Sequence, residues 1–149
     1  YWHLIMCHIQ QDGLQELCER LLFSKTMSDS FMQTARITQH ADPLADPAAP
    51  VSTITETLDR TPETALITVW VMGDDTQRQR ITDYLKIWQH IKPTTTGHTL
   101  QQKNLPPGPE YGIILKRLRA ARLDGVVTDD AEERDLLEKL IEDLYRDRA

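Results

Sequence analysis

Leu105-Pro-Pro-Gly-Pro-Glu-Tyr-Gly112, continuing into Ile113-Ile-Leu-Lys-Arg-Leu-Arg-Ala-Ala-Arg-Leu-Asp-Gly125, is the stretch on which the fold turns. Pro106, Pro107 and Pro109 hold the backbone extended and then start a helix, while Gly108 permits a turn that a Cβ would hinder. The helix beginning near Pro109 leaves its first N–H groups free, a ready seat for an anion. Gly112 in the first turn lets another backbone come close, either a packed helix or a sugar-phosphate chain. Lys116, Arg119 and Arg122 recur at i, i+3, i+6 and predict one basic stripe, with Ile114 and Ala121 roughly opposite and Ile113 and Leu118 at the flanks. Arg117 falls on the other side, as a core-edge residue or ion-pair partner. A glycine closes the helix, as Gly commonly does one position past a helix end.

Working outward, the same helical reading extends over almost the whole chain. Downstream, Asp129-x-x-Glu132 caps a helix whose apolar stripe is Leu136, Leu137, Leu140, Ile141 and Leu144. Its acidic residues Glu132 and Glu133 are the natural intramolecular partners of the basic stripe. Upstream, Ile81, Tyr84, Leu85 and Trp88 mark a helix stopped by Pro93, and a turn-rich segment with Gly97 leads through Leu100 and Leu105.

Thr61-Pro62 predicts an N-cap and a first helical proline, with Ala65, Leu66, Val69 and Trp70 on the buried face and Gly73 as the stop. The run Ile67-Thr-Val-Trp-Val has strand propensity, but the cap and the flanking elements argue helix. Thr53-x-x-Glu56 has capping-box spacing before Ile54 and Leu58.

Nearer the start, Leu14, Leu17, Cys18, Leu21 and Leu22 recur on one helical face. Gly13 separates that helix from a first one carrying Leu4, Ile5 and Ile9. Met27, Phe31 and Ala35 line a third, capped by Thr26 or Ser28. Between these halves, His40-Ala-Asp-Pro-Leu-Ala-Asp-Pro-Ala-Ala-Pro50 holds three prolines in eleven positions and reads as a linker. The expectation is therefore an all-α chain, a compact multi-helix array of two small helical subdomains. Residues 1–40 form body-like helices, 41–51 a Pro/Ala-rich linker, and 52–149 a helical region containing the proline-glycine segment.

Composition narrows the function classes. The 149 residues are 40% hydrophobic, enough for a core. No apolar run approaches the roughly 18 residues a membrane span needs. The opening Tyr1-Trp-His-Leu-Ile-Met reads as a cut inside a longer polypeptide.

A net charge of −6 argues against a strongly basic nucleic-acid-binding domain. The charge is uneven, however. Residues 92–128 hold six basic against two acidic side chains, net +4, whereas 1–91 and 129–149 are each net −5. The one net-positive region coincides with the proline-glycine segment and its helix.

Catalytic patterns are missing. There is no Gly-rich phosphate loop with Lys-Ser/Thr, no GxSxG, HExxH or CxxC. Asp74-Asp75 points two ways on a helix and reads as a cap, not a metal pair. The five histidines show no Ser, Cys or Asp partner in the sequence. Cys7 and Cys18, with His3 and His8 nearby, lack zinc-ligand spacing and read as buried thiols of a reducing, cytoplasmic setting. No catalytic residue and no metal site is expected.

One set of motifs is specific. Tyr84-Leu85 leads to Lys92-Pro93, then Gly97-x-x-Leu100, Pro107-Gly-Pro-x-x-Gly112, Leu115, Ala121-Arg-Leu-Asp-Gly125 and Thr128-Asp-Asp-Ala-Glu-Glu. In this order they resemble the C-terminal part of bacterial class II tRNA nucleotidyltransferases and poly(A) polymerases, the CCA-adding and A-adding enzymes, including forms with CBS domains. Glu16-Leu-Cys-Glu-Arg-Leu-Leu looks similar to that family's post-neck helices, and Ser52 through Leu66 to the helix pair before its tail.

The resemblance implies an all-helical body and tail that holds tRNA and positions its 3′ end. The catalytic head would lie outside these residues, together with the Mg and the ATP or CTP it uses. Candidate RNA-binding residues are then Lys92, Lys103, Gly108, Gly112, Lys116, Arg119 and Arg122, with tRNA or another RNA as partner. The chain departs from the family pattern at Thr99, where many relatives have Asp, and at Lys103-Asn104, where a Gly is usual. The alternative expectation is a helical protein-interaction or homodimerisation module without RNA contact, with Trp2, Trp70 and Trp88 contributing to an exposed patch.

Overall fold

In the computed structural model, residues 2–6, 8–39, 42–103 and 105–146 are described. They form ten α-helices and no strand, so the all-α expectation holds. The helices are α1 (Trp2–Met6), α2 (Gln11–Arg20), α3 (Lys25–Gln39), α4 (Asp42–Ala45), α5 (Val51–Asp59), α6 (Glu63–Met72) and α7 (Asp75–Lys86). A 3₁₀ turn (Trp88–His90) precedes α8 (Gly97–Gln102), α9 (Pro109–Leu123) and α10 (Asp130–Arg146).

Two compact units result, one of Tyr1–Ala49 with Thr53–Gln89, the other of Pro50–Ser52 with His90–Ala149. The division thus falls near residue 90 and not within 41–51. Among the prolines, Leu44 is fully buried in a cluster with Ile54, Leu58, Leu66, Val69, Ile81 and Tyr84. Arg80 Nη1 donates to the carbonyls of Pro43 and Leu44, both at 2.9 Å. An apolar side chain with a place in the core, and a cation on its backbone, tie down a segment whose prolines alone suggested a linker.

The first unit has a second cluster of Met6, Leu14, Cys18, Phe31 and Ala35. Phe31 meets Phe23 edge-on at 5.3 Å between ring centroids. Cys18 is buried, as expected of an inert thiol, while Cys7 lies outside the described residues. Leu21 and Leu22 do not continue the buried face of α2. The helix stops at Arg20, and Leu22 stands in the left-handed region at φ 54° with 89% of its surface exposed. Leu22 N–H donates to Glu19 O and Phe23 N–H to Cys18 O, both at 3.1 Å. That pairing is a Schellman motif with leucine where glycine is usual. Leu22→Gly is therefore expected to stabilise the chain by about 1 kcal/mol by relieving the left-handed strain. A thermal melt showing no gain would refute that reading.

Several helix starts differ from expectation because Ser and Thr are dense near each one. Ser24 Oγ, not Thr26 or Ser28, accepts from the Met27 N–H at 3.4 Å. α5 begins at Val51, so Thr53 and Glu56 lie inside it, and Thr53 O accepts from Thr57 Oγ1. Thr61 Oγ1 donates back to Thr57 O at 2.8 Å and leaves α6 without a side-chain cap. Gly13 lies within α2, Met27 and Trp70 are exposed, and α7 ends at Lys86, well before Pro93. Gly97 opens α8, which Thr96 and Thr99 secure with a capping box. Gly73 does end α6, and Asp74 caps α7 by accepting from Gln77 N–H at 2.8 Å.

The second unit is built on Leu100, Leu105, Ile114, Leu118, Leu137 and Leu140, with Tyr111, Leu115, Leu136, Ile141 and Leu144 packed against them. Pro109 is the first residue of α9, and Tyr111 Oη donates to Leu105 O at 2.6 Å, folding the proline-glycine segment onto its own helix. α9 ends in a second Schellman motif. Gly125, at φ 70°, donates to Arg122 O, and Val126 N–H donates to Ala121 O. Asp129 Oδ1 caps α10 by accepting from the N–H groups of Ala131 and Glu132, both at 2.8 Å. Among the described residues, no helix is long and apolar enough to cross a membrane.

Candidate nucleic-acid interface

Every candidate RNA-binding residue belongs to the second unit, and the rotation of α9 decides which of them face outward. Ile114 and Leu118 are buried, so the helix turns its Gly112, Ile113, Lys116 and Arg117 side to solvent. This differs from the expected stripe. Ile113 and Arg117 are exposed, while Arg119 and Arg122 are only partly so.

Arg122 is drawn inward by Glu133. Glu133 is 1% exposed, and its carboxylate accepts from Thr95 N–H at 2.7 Å, from Thr94 N–H at 3.2 Å and from Arg122 Nε. Arg122 Nη2 also donates to Thr94 Oγ1 at 2.9 Å and to Asp130 Oδ1 at 2.5 Å. Thr94 Oγ1 in turn donates to Asp130 at 2.8 Å. A buried carboxylate needs such charge-assisted donors, since desolvation without them is costly.

The titration follows from that cluster. Burial pushes the Glu133 carboxyl up, but the hydrogen bonds from Thr95, Arg122 and Thr94 outweigh it and leave it below its ordinary value. The bonds from Thr94 and Arg122 hold Asp130 down as well, and the bond to Glu133 raises Arg122. Glu132 does not pair with the stripe. It accepts from Thr128 N–H at 2.7 Å and Thr128 Oγ1 at 2.8 Å.

The remaining candidates divide. Arg119 Nε donates to Ile91 O at 2.9 Å, which holds the backbone beside Lys92 against α9. Lys103 reaches Glu138 at 3.3 Å, a largely exposed pair of little energetic weight. Gly108 is the N-cap of α9, and a Cβ there would run into the Glu110 carboxylate. The chain's own carboxylate thus sits at the helix start where an external anion was expected.

Gly112 is different, because a Cβ added to it would meet nothing within 4 Å. Nothing internal requires a glycine there. One turn further along α9, Lys116 and Arg117 are exposed, as is Lys92 in the segment before α8, and Lys92 and Arg117 make no hydrogen bond or ion pair among the described residues.

Elsewhere, Asp74 serves as a helix cap, and no group of three or more metal-binding side chains comes together among the described residues. One histidine does find a serine that the sequence order concealed. His3 Nε2 lies 3.0 Å from Ser30 Oγ, which lies 3.1 Å from Thr64 Oγ1. The partners are 27 and 34 residues apart in the chain, so no local spacing could announce them. His3 also stacks edge-on against Phe31 at 4.6 Å, and burial lowers its pKa. This chain of hydroxyls links α1, α3 and α6.

No protein-family model, no curated protein and no solved structure matches the chain.

Proposed function

We propose that the chain is a non-catalytic RNA-positioning region of a tRNA nucleotidyltransferase of the CCA-adding, A-adding or poly(A) polymerase kind. The motif order over residues 81–133 motivates the assignment. The observation that carries RNA contact is Gly112, an exposed helix glycine with no internal partner, followed one turn on by the exposed Lys116 and Arg117, with Lys92 exposed in the same unit, in the only net-positive part of the sequence. A phosphodiester backbone can approach such a helix face closely, with the cations neutralising its phosphates.

On this reading the region contributes by geometry. Holding the RNA body fixes the reacting 3′ hydroxyl near its nucleotide, and such positioning is a large part of rate enhancement. The metal-binding carboxylates, Mg and ATP or CTP belong to the head, and the setting is the cytoplasm. Arg122, and to a lesser degree Arg119, hold the unit together, so the RNA-facing set is Lys92, Gly112, Lys116 and Arg117.

A tRNA titration over a range of salt concentrations tests this. In the Lys92→Glu/Lys116→Glu/Arg117→Glu variant the slope of log K against log salt is expected to fall by about 2, with binding at least about tenfold weaker at low salt. Gly112→Ala is expected to stabilise α9 by about 0.5–1 kcal/mol while weakening RNA binding, because helix propensity rises as the close approach is lost. Undetectable tRNA binding at low salt, or an unchanged slope in the triple variant, would remove the RNA contact.

A further inference from the structure

A cleft of about 430 Å³ opens between the C-terminal half of α3 and the length of α5, within the first unit. Its volume lies in the range of small-ligand sites. α3 lines it with Gln33, Arg36 and Ile37, spaced i, i+3, i+4 on one face. α5 lines it with Thr53, Glu56, Thr57 and Arg60, again one face, and Thr61 follows just beyond the helix.

The donors of this lining are left open. Arg36 and Gln33 are exposed, and neither side chain has a hydrogen-bond or ion-pair partner among the described residues. The Thr53 hydroxyl is likewise unpartnered among them. Residues 1–91 hold seven basic against twelve acidic side chains, so Arg36 does not lack a carboxylate for want of candidates. Arg60 is paired with Glu56, but through one bond from Nη2 at 2.8 Å, and both side chains are more than half exposed. Such an i, i+4 pair has little energetic weight and yields to a competing anion.

Acceptors face the same space. Thr57 Oγ1 and Thr61 Oγ1 donate to the carbonyls of Thr53 and Thr57, at 3.1 Å and 2.8 Å, so towards the cleft their oxygens can only accept. The Glu56 carboxylate has lone pairs for more than its bond to Arg60. Two guanidinium groups against one carboxylate leave the lining net positive by one charge, which selects an anion over a zwitterion. The acceptors ask that the same molecule carry hydroxyl donors. None of the described residues lining the cleft is aromatic, so a nucleobase finds no ring to stack on.

We propose that this cleft binds a small sugar phosphate. Arg36 takes the phosphate with its planar fork, Arg60 swings from Glu56 to join it, and the Thr53 hydroxyl and Gln33 amide add donors. The sugar hydroxyls donate to Glu56, Thr57 and Thr61, and Ile37 supplies the apolar lining for the carbon skeleton. The site lies in the first unit and is independent of RNA contact by the second.

Nuclear magnetic resonance titration of the ¹⁵N-labelled full chain with ribose 5-phosphate, inorganic phosphate and ribose, at about 150 mM salt to screen loose surface attraction, tests the site. Ribose 5-phosphate is expected to shift amides within residues 33–37 and 53–61 saturably, with a Kd of about 1 mM. It should bind at least about tenfold more tightly than either phosphate or ribose alone. Arg36→Gln should weaken it at least about tenfold, and Arg36→Lys should fall between, keeping the charge without the fork. Glu56→Gln should narrow the preference for ribose 5-phosphate over phosphate, because it removes both a hydroxyl acceptor and the charge that repels a bare anion. Arg36 and Glu56 are exposed, so unaltered circular-dichroism melts will show that the variants still fold. No saturable shift up to about 20 mM ligand, phosphate binding as tightly as ribose 5-phosphate, or unchanged affinity in Arg36→Gln overturns the proposal.

Discussion

Glu133→Gln is expected to destabilise the second unit by about 3 kcal/mol, the largest effect of any isosteric change in it. Glu133 accepts from three donors, two of them the backbone N–H groups of Thr94 and Thr95 and the third Arg122 Nε. Glutamine offers one acceptor oxygen. If that oxygen stays with Thr95, the amide N–H₂ is turned on the N–H groups of Thr94 and Arg122, and three donors face each other in a buried site. Arg122 would then keep only the Thr94 hydroxyl and Asp130, whose carboxylate is exposed and screened by solvent. Urea denaturation, together with hydrogen exchange of amides in residues 90–146, reads the effect. A loss below about 1 kcal/mol would mean that the cluster is better hydrated than its burial implies.

The same group sets the response to acid. Its folded pKa lies below its ordinary 4.5, so its contribution is complete above that value and is lost as pH falls through the lower folded value. Asp130 and Glu132 are shifted in the same direction, below 3.8 and 4.5. Stability of the second unit should accordingly be level from neutrality down to about pH 5 and decline below it. Part of that acid slope should disappear in Glu133→Gln. An equal slope in both proteins would assign the acid transition to other carboxylates.

The Glu133 cluster also explains where sequence reading succeeds and where it stops. Both ends of α9 and the start of α10 were legible because each is fixed by local chemistry, whereas α8 was read as a turn-rich segment. Pro109 lacks the N–H that a first helical residue does not need, Gly125 tolerates φ 70°, and Asp129 accepts from N–H groups two and three residues ahead. The rotation of α9 was not legible. Ile113, Ile114, Leu115, Leu118 and Leu123 surround much of the helix, so periodicity alone leaves two inward faces nearly equivalent. Glu133, eleven residues beyond Arg122, breaks the tie by demanding an Arg at a buried carboxylate. The expected partner was the right one, but its burial moved Arg122 from the candidate interface into the framework.

A similar ambiguity governs α2 and the proline-rich segment. Leu21 and Leu22 continue the apolar spacing of α2, yet the chain leaves the helix at Arg20 through a left-handed leucine that no pattern announces. Leu44 sits among prolines that punctuate the backbone, and only the tertiary site for its side chain reveals that the segment is packed. Composition located the positive region correctly. Which of its cations remain for a partner is a tertiary property, because Arg119 and Lys103 are engaged by groups 28 and 35 residues away.

Gly73→Ala is expected to cost about 2–3 kcal/mol, although the residue has an ordinary φ of −68° and alanine is the better helix former. The reason is space. A Cβ at Gly73 would lie 2.7 Å from Val69 O, 2.7 Å from Gln77 Oε1 and 2.9 Å from Gln77 Cβ. Gln77 could swing away, but its Oε1 accepts from Asp74 N–H at 3.0 Å, so half of the α7 capping box would go with it. Val69 O cannot swing, because it accepts from Gly73 N–H at 2.7 Å and moving it opens the last turn of α6. The damage should reach Trp70 and Arg78, which span the same corner. Gly112→Ala is the matched control, since its Cβ meets nothing and the change should stabilise. Denaturation of the two variants side by side gives the difference. If Gly73→Ala is as well tolerated as Gly112→Ala, the α6–α7 corner has slack that its interatomic distances deny.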